Sequence, residues 1–224
     1  AAALQRVATG HGSGVKGSVR ITASEIVGVE ILPPILAQLR RDHPALAVEL
    51  VLSNKVDDLL RREADIAVRM IQPRQEALIA RRIGEVELGL HAHRSYLEAA
   101  GAPDSLDALR GHTLIGFDEE TDIVRRLLQL FGQFSRADLG FRANSDLAQL
   151  AALRAGFGIG VCQVGLGRRS PGLVRLLPEA LSLPLETWVV MHEDLRESPR
   201  CAVTFAALAE GLARYIAVQR DPPA

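Results

Sequence analysis

Gly17-Ser-Val-Arg-Ile-Thr-Ala-Ser24, Leu46-Ala-Val-Glu-Leu-Val-Leu52-Ser-Asn54 and Asp65-Ile-Ala-Val-Arg69 are the segments whose reading decides the fold. Ser18–Thr22, Leu46–Leu52 and Asp65–Arg69 have the β-branched, apolar character of buried strands. Between them lie the amphipathic stretch Ile26–Asp42 and the short helical pattern Lys55–Arg62. Strands joined by helices pair in parallel with right-handed crossovers. In such a sheet the ligand site lies beyond the carboxyl ends of the strands. Ser24, Ser53 and Asn54 stand at those ends, each before a predicted helix. They are hydroxyls and an amide, with no catalytic group among them, which is the profile of a binding site.

Working outward, His11-Gly-Ser-Gly-Val-Lys-Gly17 reads as a flexible connector. The segment Ala1–Ala8 before it reads as the tail of a helix. After a loop at Gln72–Glu76, Leu78–His93 forms one long strand, interrupted near Gly84 and Gly89. The second half repeats the theme. Helical turns at Ser95–Ala100 and Ser105–Leu109 precede a strand at His112–Phe117, a helix at Ile123–Phe134 and a strand at Leu139–Ala143. Asn144-Ser145 then caps a helix at Leu147–Ala155. Gly156 stops that helix in a left-handed conformation before a buried strand from Gly156 to Val161. Short and long strands follow at Leu173–Leu176 and Leu185–Met191, and Pro199–Val218 closes the chain as an amphipathic helix. The fold class is therefore α/β: two Rossmann-like subdomains joined by two crossover strands. Subdomain I is 17–87 plus 190–219, subdomain II is 88–189, and 1–16 is connector. A cleft bounded by two crossing strands is a natural hinge.

The 224 residues carry a formal charge of −1, which gives no general attraction to nucleic acid or anionic membranes. Lys16 and Lys55 are the two lysines among 26 basic residues, a base-composition bias in favour of arginine. No apolar run approaches the roughly 20 residues that span a bilayer, and neither a membrane span nor a signal peptide is expected. Cys162 and Cys201, far apart, read as reduced thiols of a cytoplasmic protein.

Several patterns have bland readings that prevail. Gly156-x-Gly158-x-Gly160 follows a helix and enters a strand, the reverse of a dinucleotide fingerprint. His91 and His93 share a strand face but lack a third ligand, so no metal is expected. Glu119, Glu120 and Asp122 form a solvated run. No nucleophile elbow, zinc-protease motif or P-loop occurs, so neither an enzyme nor a cofactor is expected.

Ordered along the chain, Arg20-Ile-Thr-Ala-Ser24, Leu32-Pro-Pro-Ile-Leu36, Leu39, His43-Pro44, Val48-Glu-Leu50, Asp58-Leu-Leu60 and Ala64-Asp-Ile-Ala-Val-Arg69 form a pattern. Arg94-Ser-Tyr-Leu97, Gly101-Ala-Pro103, Leu109-Arg-Gly-His112 and Ala155-Gly-Phe-Gly-Ile159 continue it. The pattern, over residues 15–217, resembles the effector-binding domain of the LysR-type transcriptional regulators, with Glu63-Ala64 where that family has Glu-Gly. The resemblance implies a type 2 periplasmic-binding-protein-like fold and a small-molecule effector in the interdomain cleft. It also implies DNA binding through an N-terminal winged helix-turn-helix, with residues 1–9 the remnant of a linker helix, and a homodimer or homotetramer in the cytoplasm. The pairing expected is of the 26–39 helix with the 147–155 helix of a second copy. Ile35, Leu36 and Leu39 form a stripe too wide for one sheet, which points the same way. In the family, the residues after the first and second strands line the effector pocket, here Ser24 and Ser53. Asn54, Phe117, Asn144 and Gln163 complete the candidate effector site. Exposed helix N-termini favour an anionic effector. A free periplasmic-type solute-binding protein is the competing reading, since it shares the architecture.

Overall fold

A computed structural model describes residues 15–54, 64–73, 78–119, 124–125 and 134–220. The predicted N-terminal helical tail, the helix at 55–62 and the greater part of the helix at 123–134 lie outside the described residues, as do Glu120 and Asp122. The chain divides into two compact units, Ala1–Glu85 with Leu185–Ala224, and Val86–Pro184.

In the first unit β1 (Gly17–Ala23) lies between β2 (Leu46–Leu52) and β3 (Ile66–Arg69), parallel to both. β9 (Leu183–His192) runs antiparallel to β3, and β4 (Leu78–His93) lies beside β9. Val19, Ile21 and Ala23 of β1 are fully buried in the core. Arg20, between them, meets its register partner Glu49 at 2.8 Å.

The chain turns helical directly after Ser24. A wide turn at Val27–Ile31, in which the N–H of Leu32 donates to the carbonyl five residues back, leads into α1 (Leu32–Asp42). The wide turn has a local cause. Pro33 and Pro34 offer no N–H, and in a regular helix their rings would strike the carbonyls of residues 29 and 30. The stripe of α1 finds its partners inside the unit. Leu39 is buried, Leu36 packs on the core, and Ile35 lies over Gly211 of α5 (Pro199–Arg220). A Cβ at Gly211 would come within 2.7 Å of three Ile35 carbons. The expectation that these three residues need a second copy is thereby corrected, because α5 supplies the surface that the sheet alone does not.

α5 also corrects the reading of apolar runs. Pro199–Val218 is long and apolar enough to cross a membrane by length and composition. Its Cys201, Leu208, Ala209 and Leu212 are instead core residues of the unit. Alanine supplies much of its apolar character.

In the second unit β5 (Leu114–Gly116) pairs in parallel with β6 (Leu139–Arg142) and β7 (Ile159–Gln163). β7 and β8 (Leu173–Leu176) both run antiparallel to β4. β4 is continuous over its 16 residues, so the expected interruptions at Gly84 and Gly89 do not occur. Gly89 is buried, and a Cβ there would meet Arg175 and Val164 at 3.3 and 3.4 Å. α2 (Arg94–Ala100) starts under a cap from His93, whose Nδ1 accepts from the Ser95 N–H at 3.2 Å. α3 (Asp146–Arg154) ends as expected. Gly156, at φ +76°, donates to Leu153 O, and Phe157 N–H donates to Ala152 O.

α4 (Val164–Arg169) is not expected from the sequence, since Val-Gly-Leu-Gly-Arg-Arg has two glycines against a helix. Packing explains one of them. The ring of buried His91 lies where a Gly167 side chain would project, 2.3 Å from the position of its Cβ.

Candidate functional site

The residues expected to bind an effector sit, in each unit, at the carboxyl ends of parallel strands. In the first unit Ser24 follows β1, and Ser53 and Asn54 follow β2. Ser53 N–H donates to Ala23 O at 2.8 Å, extending the β1–β2 ladder by one step. Asn54 Oδ1 then accepts the N–H of Glu25 at 3.2 Å. Asn54 therefore caps the helix that follows β1, where the sequence placed it at the head of the next helix. Ser24 is not a side-chain cap. Its carbonyl accepts from Gly28 N–H at 2.8 Å, and among the described residues its hydroxyl has no hydrogen-bond partner.

The second unit uses the same device. Ala143 N–H donates to Gly116 O at 3.1 Å, extending the β5–β6 ladder. Asn144 Oδ1 accepts the N–H groups of Asp118 at 3.1 Å and Glu119 at 2.8 Å, in the turn that follows β5 and Phe117. Capping of α3 falls to Ser145, whose hydroxyl accepts from Ala148 N–H at 3.3 Å. Gln163 ends β7, is buried and precedes α4. Cys162 Sγ donates to the Gln163 carbonyl at 3.3 Å. Arg136 holds the same turn from outside, donating to Asp118 O at 2.7 Å and Asp118 Oδ1 at 2.5 Å.

The two asparagines have a chemical consequence. The groups facing them are N–H donors, so the atom turned inward must be the amide oxygen. The opposite end of each amide is an NH2 group, a donor. The Ser24 hydroxyl is a further donor at the end of β1.

Arg69, not among the residues expected at the site, ends β3 and is buried. Its Nη2 donates to Thr22 Oγ1 and its Nη1 to Val68 O, both at 3.0 Å. A charged residue closing the apolar run Ile66-Ala-Val68 was the available signal.

Neither strand histidine is arranged as a ligand. His91 is buried with Nδ1 2.9 Å from Gly89 O, and burial holds its ring below the ordinary value of 6.5. His93 is engaged with Ser95. Among the described residues no group of three or more His, Cys, Asp or Glu is placed to hold a metal ion.

Parallel strands ending in short polar side chains, on two α/β units through which the chain passes out and back, define the class of periplasmic-binding-protein-like domains. Residues 12–213 match the LysR substrate binding domain family, and the chain belongs to it. An uncharacterised HTH-type transcriptional regulator of Haemophilus influenzae is 28% identical over 183 residues, covering 80% of this chain and 64% of that protein. The HTH-type transcriptional activator AaeR of Escherichia coli is 26% identical over 145 residues, 64% of this chain and 47% of AaeR. The chain thus spans less than two thirds of these relatives. The regulatory domain of CrgA from Neisseria meningitidis, a LysR-type transcriptional regulator, has a similar fold. Its TM-score is 0.77 at 23% identity, covering 88% of this chain and 99% of that one. Family membership displaces the competing reading of a free solute-binding protein.

Proposed function

We propose that this chain is the effector-sensing part of a non-catalytic, cytoplasmic DNA-binding regulator, and that a small anionic molecule binds at the carboxyl ends of its parallel strands. The observation that carries the reading is the repeated asparagine device, which orders the turns after β1 and β5 at the carboxyl ends of the parallel strands. Ser24, Ser53 and Asn54 from one unit, and Phe117, Asn144 and Gln163 from the other, are the proposed contacts. Phe117 supplies an apolar wall, and Ser24 a hydroxyl donor. Binding acts by population shift, since a ligand that prefers one hinge angle draws the chain toward it. Couplings of about 1–3 kcal/mol are typical of such switches.

DNA contact belongs to a winged helix-turn-helix preceding this chain in the whole protein, and assembly is as a homodimer or homotetramer. Val29, Leu50 and Leu52, each more than a third exposed, give the β2 side of the first unit an apolar surface suited to such assembly. Gel shifts test the division of labour. The 224-residue chain alone should give no sequence-specific, salt-sensitive shift, while the chain extended by its preceding coding sequence should give one on its own promoter. A specific shift by the 224 residues alone would overturn the reading.

A further inference from the structure

The chain crosses between its two units inside β4 and β9, at Glu85/Val86 and Pro184/Leu185. On the first unit's side, Arg82 of β4 donates Nε to Glu186 Oε1 of β9 at 3.0 Å and Nη2 to Glu85 Oε1 at 2.5 Å. Trp188 Nε1 donates to the other oxygen of Glu186 at 3.1 Å. On the second unit's side, Glu87 of β4 accepts from Ser182 Oγ at 2.7 Å, just before β9, and from Arg175 of β8. These two clusters stand within three residues of the crossing on β4, one on each side. Between them lie buried Val86 on one strand and Pro184 on the other. Pro184 brings no ladder donor to this step. Both carboxylates are held in their charged form. Hydrogen bonds from Trp188 and Arg82 lower the pKa of Glu186. At Glu87 partial burial acts upward, but the Ser182 and Arg175 bonds with the charges of Arg175 and Arg168 outweigh it.

We propose that these two polar clusters are clamps that confine bending of the crossing strands to the step containing Val86 and Pro184, and so set how readily the hinge moves. The inference rests on the effector-sensing reading for its purpose, but its test needs no effector. A failed clamp is therefore distinguishable from a failed sensor.

The test uses the 224-residue chain, with Glu186→Gln, Glu87→Ala and the double variant. Exposed pairs of this kind shift local equilibria by about two- to fivefold. Amide exchange of Val86 and Leu185 should quicken by about that factor in each single variant and further in the double. Amides of β1 and β3 should be unaffected. In 1 M salt, where screening acts over about 3 Å, the wild type should approach the double variant while the double variant changes little. Spin labels at two exposed positions, Ala37→Cys on α1 and Glu179→Cys in the second unit, should give a broader distance distribution in the double variant. Both native cysteines are buried and escape labelling. Unchanged exchange at the crossing, equal acceleration in β1 and β3, or an unbroadened distance distribution would each overturn the proposal.

Discussion

At the scale of single residues, Asn54 and Asn144 show how far local rules reach. Each has the residue type and position of a helix cap, and the sequence reading used that rule. Both accept backbone N–H groups, yet the groups belong to the turn after the neighbouring strand. A parallel ladder brings residues about 25 to 30 apart in sequence side by side, and nothing in the local pattern gives the register. Ser24 illustrates the converse, since a capping position is occupied by a hydroxyl that caps nothing among the described residues. His91 allows a prediction at this scale. Burial depresses its folded pKa, with the Arg175 charge acting in the same direction; the Gly89 carbonyl and Glu87 oppose them. The unfolded ring protonates near 6.5 while the folded ring resists. Its stabilising contribution is therefore complete above 6.5 and falls away as pH drops below it. Urea midpoints should decline from pH 7.5 to 5.5, and His91→Asn, which keeps a donor for the Gly89 carbonyl, should flatten the decline. An unchanged slope in the variant would contradict this.

Among the elements, strands and long helices were legible because burial on a sheet imposes a pattern that few sequences carry by accident. β1, β2, β3 and β9 lie where the apolar runs place them. The turn at 27–31 and α4 were not legible. One depends on the clash of two proline rings with carbonyls a turn away, the other on a histidine that needs glycine beneath it. Gly156 was legible because a helix stop requires a left-handed residue. It also has a neighbour that the sequence does not show. A Cβ there would lie 2.7 Å from Ser95 Oγ. Gly156→Ala should cost about 1–2 kcal/mol from the left-handed backbone alone, lowering the chemical-denaturation midpoint. A neutral effect would mean that the stop is made elsewhere.

Across the whole molecule, the separation into two units follows from two strands long enough to belong to both. Their continuity through Gly84 and Gly89 was not readable, because glycine weakens a strand on average while here it makes room for Ile216 and Arg175. The candidate site follows from topology, as the ends of parallel strands are where backbone amides and short polar side chains gather. That Ser24, Ser53, Asn54, Phe117, Asn144 and Gln163 stand at strand ends was legible; the bonds by which Asn54 and Asn144 order the neighbouring turns were not. Effector binding at those ends can be read by thermal-shift titration with a panel of small aliphatic and aromatic carboxylates. At least one should raise the melting temperature saturably in the wild type. Ser24→Ala should weaken that ligand about ten- to a hundredfold, the cost of a hydrogen bond to a charged group. The unliganded melting temperature should stay within about 2 °C, since the Ser24 hydroxyl bonds nothing among the described residues. No saturable shift with any carboxylate, or equal affinity in Ser24→Ala, would contradict it.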